Sequence, residues 1–203
     1  MKQYLGALWN VAERCNSIVF NFRYGNRLAL IDKLLSQATD SPYEMRALCI
    51  SDIESLVAFF KAQPAEAFRF FKPHSFDAAS LRRIVRNKSF LTFLVLAENK
   101  IVGYCFMRSF VNGASYRGYM VDSHWRGKGI AKIMGMGMNS VGMALGLKMY
   151  KSISPENVAS MMATKSVCEI KVLRTLKNGD CLMECKAKKT DEHNNCEIVE
   201  NKN

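Results

Sequence analysis

Residues 119–131 read YMVDSHWRGKGIA and carry the strongest functional signal in this chain of 203 residues. The pattern predicts a short apolar strand that ends at residues 121–122, followed by a turn and a helix from residue 126 to about residue 147. Glycines at such a turn let the backbone approach a ligand closely, because no Cβ intervenes. The free N–H groups of the first helical turn and the helix dipole favour a negative charge there, and Arg126 and Lys128 add two positive charges. The stretch therefore predicts a cradle for a pyrophosphate group.

Three phosphate-binding patterns can be compared with this turn. A P-loop requires Ser or Thr directly after its lysine, whereas Lys128 is followed by glycine. A dinucleotide fingerprint requires a third glycine and an acidic residue about 20 positions on, where this chain has Met149. The third pattern, Arg/Gln-x-x-Gly-x-Gly/Ala, matches residues 126–131 (RGKGIA) at every fixed position. On this motif the chain resembles the GNAT superfamily of acyl-CoA-dependent N-acetyltransferases; a glycine-rich helix start with two solvated cations is the simpler alternative.

The composition is typical of a globular protein rather than a membrane or disordered one. Apolar residues make up 49% of the chain and charged residues 23%. The longest apolar runs, such as residues 90–97, are too short to span a bilayer. Glu13 and Arg14 interrupt the N-terminal apolar stretch, and no small-residue cleavage site follows them. These features predict a cytoplasmic protein with no membrane partner.

The net charge of +11 indicates an anionic partner. The basic residues are spread along the chain, with no run longer than residues 186–189, and the aromatic residues do not alternate with cations. That distribution is not typical of a surface that stacks single-stranded nucleic acid. The charge therefore favours a small anionic ligand over nucleic acid, and a basic nucleic-acid-binding protein stays as a less favoured alternative.

The seven cysteines favour reduced thiols rather than a disulfide framework, since their number is odd and they are scattered. Cys181, Cys185, His193 and Cys196 could be read as a zinc quartet. If the first two lie on one strand, they are about 13 Å apart, whereas zinc–sulfur bonds are about 2.3 Å long. The sequence therefore predicts no metal site.

The order of the elements extends the resemblance to residues 43–187, about seven-tenths of the chain. We expect residues 1–42 to form a helical extension that packs against the domain or against a second subunit of a homodimer, and residues 188–203 to form a polar, disordered tail. Between them the patterns predict a strand, two helices, three strands, a helix, a strand, a helix and two strands, with Ser51 and Ser154 as helix caps. The resemblance implies the GNAT fold, an α/β (α+β) architecture. Its mixed, mostly antiparallel sheet has splayed central strands and helices on both faces.

The resemblance also implies a site for acetyl-CoA as co-substrate. In the family, the backbone at the end of the fourth strand binds the pantetheine arm, the glycine turn binds the pyrophosphate, and an Asn and a small residue open the next helix beside the coenzyme. The matching positions are Met120, Val121 and Asp122, then Arg126, Gly127, Lys128, Gly129, Ile130 and Ala131, and finally Asn157 and Ser160.

Acetyl transfer to an amine needs two proton movements, and the candidate residues follow from them. The amine must lose a proton to attack, and the departing thiolate is helped by a proton donor. Many family members place a Tyr seven residues after the Asn, but here that position is Thr164. Tyr116 and Tyr119 are candidate substitutes, and His74, within the aromatic stretch 70–76, is a candidate base or anion-binding group.

Together these patterns predict an N-acetyltransferase that moves an acetyl group from acetyl-CoA to the primary amine of a small acceptor. The basic composition favours an anionic acceptor such as an amino-sugar nucleotide. A non-catalytic acyl-CoA-binding module is the main alternative, because Thr164 replaces the expected Tyr.

Overall fold

A computed structural model of the chain describes residues 2–39 and 42–188. The predicted tail, with His193 and Cys196 of the zinc quartet, lies outside the described residues apart from Lys188. The helices are α1 (Lys2–Leu28), α2 (Ile31–Gln37), α3 (Ile53–Ala62), α4 (Ala78–Arg86), α5 (Ile130–Ala144) and α6 (Val158–Val167). The strands are β1 (Tyr43–Ala47), β2 (Phe90–Ala97), β3 (Lys100–Ser109), β4 (Ala114–Val121), β5 (Lys148–Ile153), β6 (Cys168–Thr175) and β7 (Cys181–Ala187).

One seven-stranded sheet forms the centre of the molecule, in the order β1-β2-β3-β4-β5-β7-β6. All neighbouring strands are antiparallel except β4 and β5, which run parallel. The parallel pair is short, because only Ala114–Tyr116 of β4 bond with Lys148–Tyr150 of β5. Beyond that point the two strands separate, which confirms the splayed central strands.

Helices cover both faces of the sheet, each over its own apolar cluster. On one face, α1, α2 and α5 bury side chains such as Phe20, Leu35 and Met134. On the other face, α3 and α4 bury Leu56 and Leu81 against β2 and β3. Strand β2 serves both clusters, and this is why its sequence FLTFLVLA is almost continuously apolar. The predicted α/β fold with helices on both faces is confirmed.

The N-terminal helix α1 is tied to the rest of the molecule. Phe20 is fully buried in the larger cluster, and Asn16 donates to the backbone oxygen of Ser109 at 2.9 Å. Residues on both sides of the predicted domain boundary at residue 42 therefore share one core. The homodimer contact proposed for residues 1–42 stays a prediction. No helix in the described ranges 2–39 and 42–188 combines the length and apolar character needed to cross a membrane.

Two helix starts differ from the sequence prediction. Helix α3 begins at Ile53 after a 3-10 turn, and Asp52 rather than Ser51 accepts the bond that organises the turn, from the backbone N of Cys49 at 2.8 Å. Helix α6 begins at Val158, because the carboxamide of Asn157 accepts from the backbone N of Ser160 at 3.1 Å. At α6 the longer side chain of Asn157 forms the cap that Ser154 was expected to form. At α3 the carboxylate of Asp52 belongs to the capping box of the preceding 3-10 turn, and Asp52, the N-cap residue of α3, makes no side-chain capping bond to that helix.

Candidate functional site

A cleft of about 930 Å³ opens where β4 and β5 separate. Its floor is the end of β4, from Tyr119 to Val121, and the end of β5, from Lys151 to Ile153. The walls come from four segments that the fold brings together: the loop at residues 66–73, the turn before α5, the start of α6, and the β6–β7 hairpin at Asn178 and Asp180. The gap in the sheet is therefore the candidate site.

The glycine turn forms one end of this cleft. Gly127 and Gly129 have φ angles of +77° and +81°, in the left-handed region that favours glycine. A Cβ placed on either would meet no atom within 4 Å, so both face open space. Helix α5 starts at Ile130, and the N–H groups of Ile130 and Ala131 lie in its first turn, where no helical acceptor exists. The turn thus presents free donors and the positive end of a helix dipole to the cleft.

The turn is held in place by a buried amide. Gln63, at the end of α3, donates to the carboxylate of Asp122 at 2.9 Å and accepts from the backbone N of Ser123 at 3.0 Å. Asp122 also accepts from the backbone N of His124 at 2.8 Å. Asp122 therefore organises the turn from behind and does not line the cleft.

The second cation predicted for the cradle points elsewhere. The ammonium of Lys128 lies 4.2 Å from the ring centroid of Trp125, and Lys128 does not line the cleft. Nine of the eleven predicted coenzyme residues do line it, and Asp122 and Lys128 are the two exceptions. The nine are Met120, Val121, Arg126, Gly127, Gly129, Ile130, Ala131, Asn157 and Ser160.

A lysine that the sequence analysis did not select lies on the cleft floor. Lys151 is 6% exposed, and its ammonium donates to Ser160 Oγ at 3.0 Å and to Thr164 Oγ1 at 3.1 Å. The nitrogen also lies 3.7 Å from the ring centroid of Tyr119. Burial lowers the pKa of Lys151 to about 7, and the guanidinium of Arg117 adds to the effect.

The four predicted catalytic residues do not meet at one place. Tyr119 lines the cleft, where burial raises its pKa and its hydroxyl donates to the backbone oxygen of Ser160 at 3.4 Å. Thr164 is 1% exposed and lies behind Lys151, outside the cleft lining. Tyr116 lies in the paired part of β4 and contacts the ring of Tyr150, with 5.6 Å between centroids. Of these three, only Tyr119 reaches the cleft.

His74 lies in a separate groove of about 700 Å³ on the α1–α4 side of the molecule. The backbone oxygen of Ser75 can only accept, so Nδ1 donates to it, at 2.8 Å, and Nε2 accepts from the hydroxyl of Tyr104, also at 2.8 Å. Burial lowers the pKa of His74 and keeps the ring neutral. Both ring nitrogens are thus engaged away from the cleft, and His74 is not placed to act on an acceptor there.

Solved structures with the same fold show how widely this architecture is shared. A ribosomal-protein-S5-alanine acetyltransferase from Vibrio fischeri matches with a TM-score of 0.61 and 18% identity, over 73% of this chain and 94% of that one. A PaiA N-acetyltransferase from Thermoplasma acidophilum, in complex with coenzyme A, matches with a TM-score of 0.59 and 15% identity, over 72% and 99%. RimJ from Mycobacterium smegmatis, in complex with CoA-disulfide, matches with a TM-score of 0.59 and 19% identity, over 71% and 81%. At these identities the likeness shows the fold alone.

A comparison at the level of the family goes further. No curated protein sequence matches the chain. The model of the acetyltransferase (GNAT) family does match, over residues 55–159, which is just over half of the chain. The matched segment contains the glycine turn, the splayed strands and Asn157. The chain therefore belongs to the acetyltransferase (GNAT) family of acetyl-CoA-dependent N-acetyltransferases.

Proposed function

We propose that this protein transfers an acetyl group from acetyl-CoA to the primary amine of a small anionic acceptor, for which an amino-sugar nucleotide has the right chemistry. The observation that carries the proposal is the open glycine turn, with Gly127 and Gly129 in the left-handed region, at one end of the cleft between β4 and β5. A pyrophosphate bound there would accept hydrogen bonds from the first turn of α5 and an ion pair from Arg126.

The cleft leads from this turn to the point where the strands part. The pantetheine arm fits along the end of β4, beside Met120 and Val121, with Asn157 and Ser160 on the opposite wall. Beyond Tyr116 the side of β4 that faces β5 has no strand partner within the described residues, so its amides are available to a ligand. An N–H donor fixed at that edge is what an oxyanion on the thioester carbon requires. This geometry supports direct attack by an amine within a ternary complex.

The loop at residues 66–73 supports an anionic acceptor. Lys72 and Arg69, of which Arg69 forms an ion pair with Glu156, line the cleft beside Phe70, which is 42% exposed and can pack against a sugar or a base. Cationic side chains outnumber acidic ones around the whole lining, where only Glu66 and Asp180 are acidic. The cations are Arg69, Lys72, Arg117, Arg126, Lys132 and Lys151.

Release of free thiol from acetyl-CoA tests the proposal across a panel of amines. The panel is a nucleoside-diphosphate amino sugar, a peptide with an N-terminal alanine, spermidine and an aminoglycoside. We expect turnover with the anionic amine, and Lys72→Ala should raise its KM several-fold without changing the KM for acetyl-CoA. Lys61→Ala, a change at an exposed position of α3 outside the cleft, is the matched control and should alter neither value.

Two other results would lead to different conclusions. Turnover with the peptide alone, and none with the amino sugar, would overturn the anionic small acceptor. Binding of acetyl-CoA without thiol release for any amine would favour the non-catalytic module, to which the replacement of the expected Tyr by Thr164 points.

A further inference from the structure

We propose that Lys151 is the catalytic residue that protonates the departing coenzyme A thiolate. The inference rests on the proposed acetyl transfer and adds a residue to it. Thr164 offers no hydroxyl to the cleft, since it is buried and bonded on both sides, whereas Lys151 lines the floor.

The position of Lys151 in the sheet places its amine in the slot. Pairing between β4 and β5 ends at Tyr116 and Tyr150, so Lys151 is the first residue of β5 beyond the point of separation. Its side chain shares the buried face of β5 with Met149 and Ile153. A cation therefore occupies a position where the strand otherwise buries apolar side chains, on the floor of the cleft directly after the last paired residues of β4 and β5.

Two hydroxyl groups on α6 hold the amine in a defined orientation. Thr164 Oγ1 donates to the backbone oxygen of Ser160 at 2.7 Å, so it accepts from Lys151, at 3.1 Å. Ser160 Oγ accepts a second proton of the ammonium at 3.0 Å. An ammonium group has three N–H donors. In the described part of the chain the third N–H of Lys151 has no oxygen acceptor, and the nitrogen lies over the ring face of Tyr119. That third proton is the one available to a sulfur in the cleft, and Thr164 is a positioning residue for it.

The surroundings make the amine a proton donor of suitable strength. The titratable groups that face it are Arg117 and Tyr119 from β4, Cys168 from β6 and Cys185 from β7, and within the described residues no carboxylate pairs with it. Burial and Arg117 lower the pKa of Lys151 to about 7, while the two cysteines oppose the shift. An ordinary thiol has a pKa of about 8.5. Transfer from the Lys151 ammonium to a thiolate is therefore favourable, and about half of the lysine is charged near neutral pH.

The step balances without a further reagent. The acceptor nitrogen bonds to the thioester carbon, the carbon–sulfur bond breaks, and its electron pair goes to sulfur. Sulfur takes the proton of the Lys151 ammonium and leaves as a thiol. The proton that the attacking amine loses returns to the neutral Lys151, directly or through water, so the lysine is regenerated and the products are an amide and free coenzyme A.

Ionisation of bound coenzyme A tests this contact without an acceptor. Calorimetry first establishes binding of coenzyme A to the full chain. The thiolate absorbance of the protein saturated with coenzyme A is then measured against pH. The absorbance of the same protein saturated with desulfo-coenzyme A is subtracted, which removes the contribution of the protein's own cysteines. Because the Lys151 amine loses its proton before the thiol does, we expect the bound thiol of the wild type to ionise no lower than in free coenzyme A. In Lys151→Arg, whose guanidinium keeps its charge and pairs with the thiolate, the thiol should ionise at least one pH unit lower. Lys151→Met should show no such downward shift, and neither should Lys148→Arg, the matched control at an exposed position of the same strand.

The outcomes separate the two proposals. No binding of coenzyme A by the wild type would overturn the proposed function. Binding with the same thiol pKa in the wild type and in Lys151→Arg would overturn the role of Lys151 alone, because it would place the thiol out of reach of that position. Lys151→Arg keeps a cation that does not release its proton, so it should also lower kcat about 100-fold. An unchanged kcat in Lys151→Arg, with any amine that turns over, would likewise overturn the proton transfer.

Discussion

At the scale of single residues, Gly129 combines a conformational role with a steric one. Its φ of +81° disfavours any side chain, and a Cβ would project into the space proposed for the pyrophosphate. Gly129→Ala should cost about 1–2 kcal/mol of unfolding free energy and weaken acetyl-CoA binding at least tenfold. Gly113→Ala has the same strain, at φ +83° in the β3–β4 turn, and should bind acetyl-CoA normally. Calorimetric affinities and urea unfolding check the pair, and equal affinities would contradict the steric role.

Lys151 should make stability depend on pH with a definite sign. Its pKa is about 7 when folded and 10.5 as a free side chain, so between these values the unfolded chain binds more protons and stability rises with pH. Below pH 7 both states are charged and the full cost of burial is present. Lys151→Met should therefore be the more stable protein near neutrality, and its advantage should shrink by about 1.4 kcal/mol per pH unit up to about pH 10. Parallel stability curves for the two proteins, measured by urea unfolding, would argue against the buried charge.

The residues of the glycine turn could be predicted from the sequence, whereas residues whose position depends on tertiary packing could not. The glycine turn was predictable because its chemistry lies within six consecutive residues. The side-chain directions of Asp122 and His74 depend on contacts with distant residues, Gln63 and Tyr104, and no local pattern encodes them. Lys128 is turned onto the ring of its neighbour Trp125, and the glycine motif does not indicate this contact. Lys151 did leave a signal, since the alternation in KMYKSI places it on the same face as Met149 and Ile153.

At the scale of elements, the glycines of α5 set how closely neighbouring elements pack. A Cβ on Gly135 would lie 2.7 Å from Cγ2 of Val167 on α6, and a β-branched side chain cannot rotate away cheaply. Gly135→Ala should destabilise the protein by about 1–2 kcal/mol, because overpacking exceeds the gain in helix propensity. It should also weaken acetyl-CoA binding by displacing the start of α6 from the cleft.

Gly25→Ala in α1 is the matched control for this change. The nearest atom to its Cβ would be Asn21 Oδ1 at 3.7 Å, an ordinary contact, so only the gain in propensity remains. We expect up to about 1 kcal/mol of stabilisation and unchanged affinity for acetyl-CoA. Urea unfolding of both variants measures the difference, and a stabilising Gly135→Ala would contradict the tight α5–α6 packing.

The order and type of the elements were predictable because apolar periodicity is strong in each segment. The helix starts were less predictable. Asn157 rather than Ser154 forms the capping bond of α6, and near α3 Asp52 bonds back to the backbone of Cys49, so the bond that forms depends on the geometry of each turn. The separation of β4 from β5 was expected only from the family resemblance. Both strands look ordinary in sequence, and nothing local says where their pairing stops.

At the scale of the whole molecule, the N-terminal extension contributes to the common core. Phe20 is fully buried and Phe22, two residues along the same helix, is 92% exposed. Phe20→Ala should therefore lower the unfolding free energy by about 3–5 kcal/mol, whereas Phe22→Ala should change it by less than about 0.5 kcal/mol. A single cooperative transition for the whole chain, lowered by Phe20→Ala, would support one core. Similar small effects of both changes would show that α1 is only loosely attached.

The most direct test of the whole account is a calorimetric titration of the wild type and of Gly129→Trp with acetyl-CoA. We expect the wild type to bind in the micromolar range, with a binding free energy of about −8 kcal/mol, because the cradle, the cationic lining and the open gap between β4 and β5 all favour the coenzyme. We also expect loss of binding in Gly129→Trp, whose indole would fill the space in front of the turn. No binding by the wild type, or equal binding by both proteins, would contradict the assignment of this cleft to acetyl-CoA.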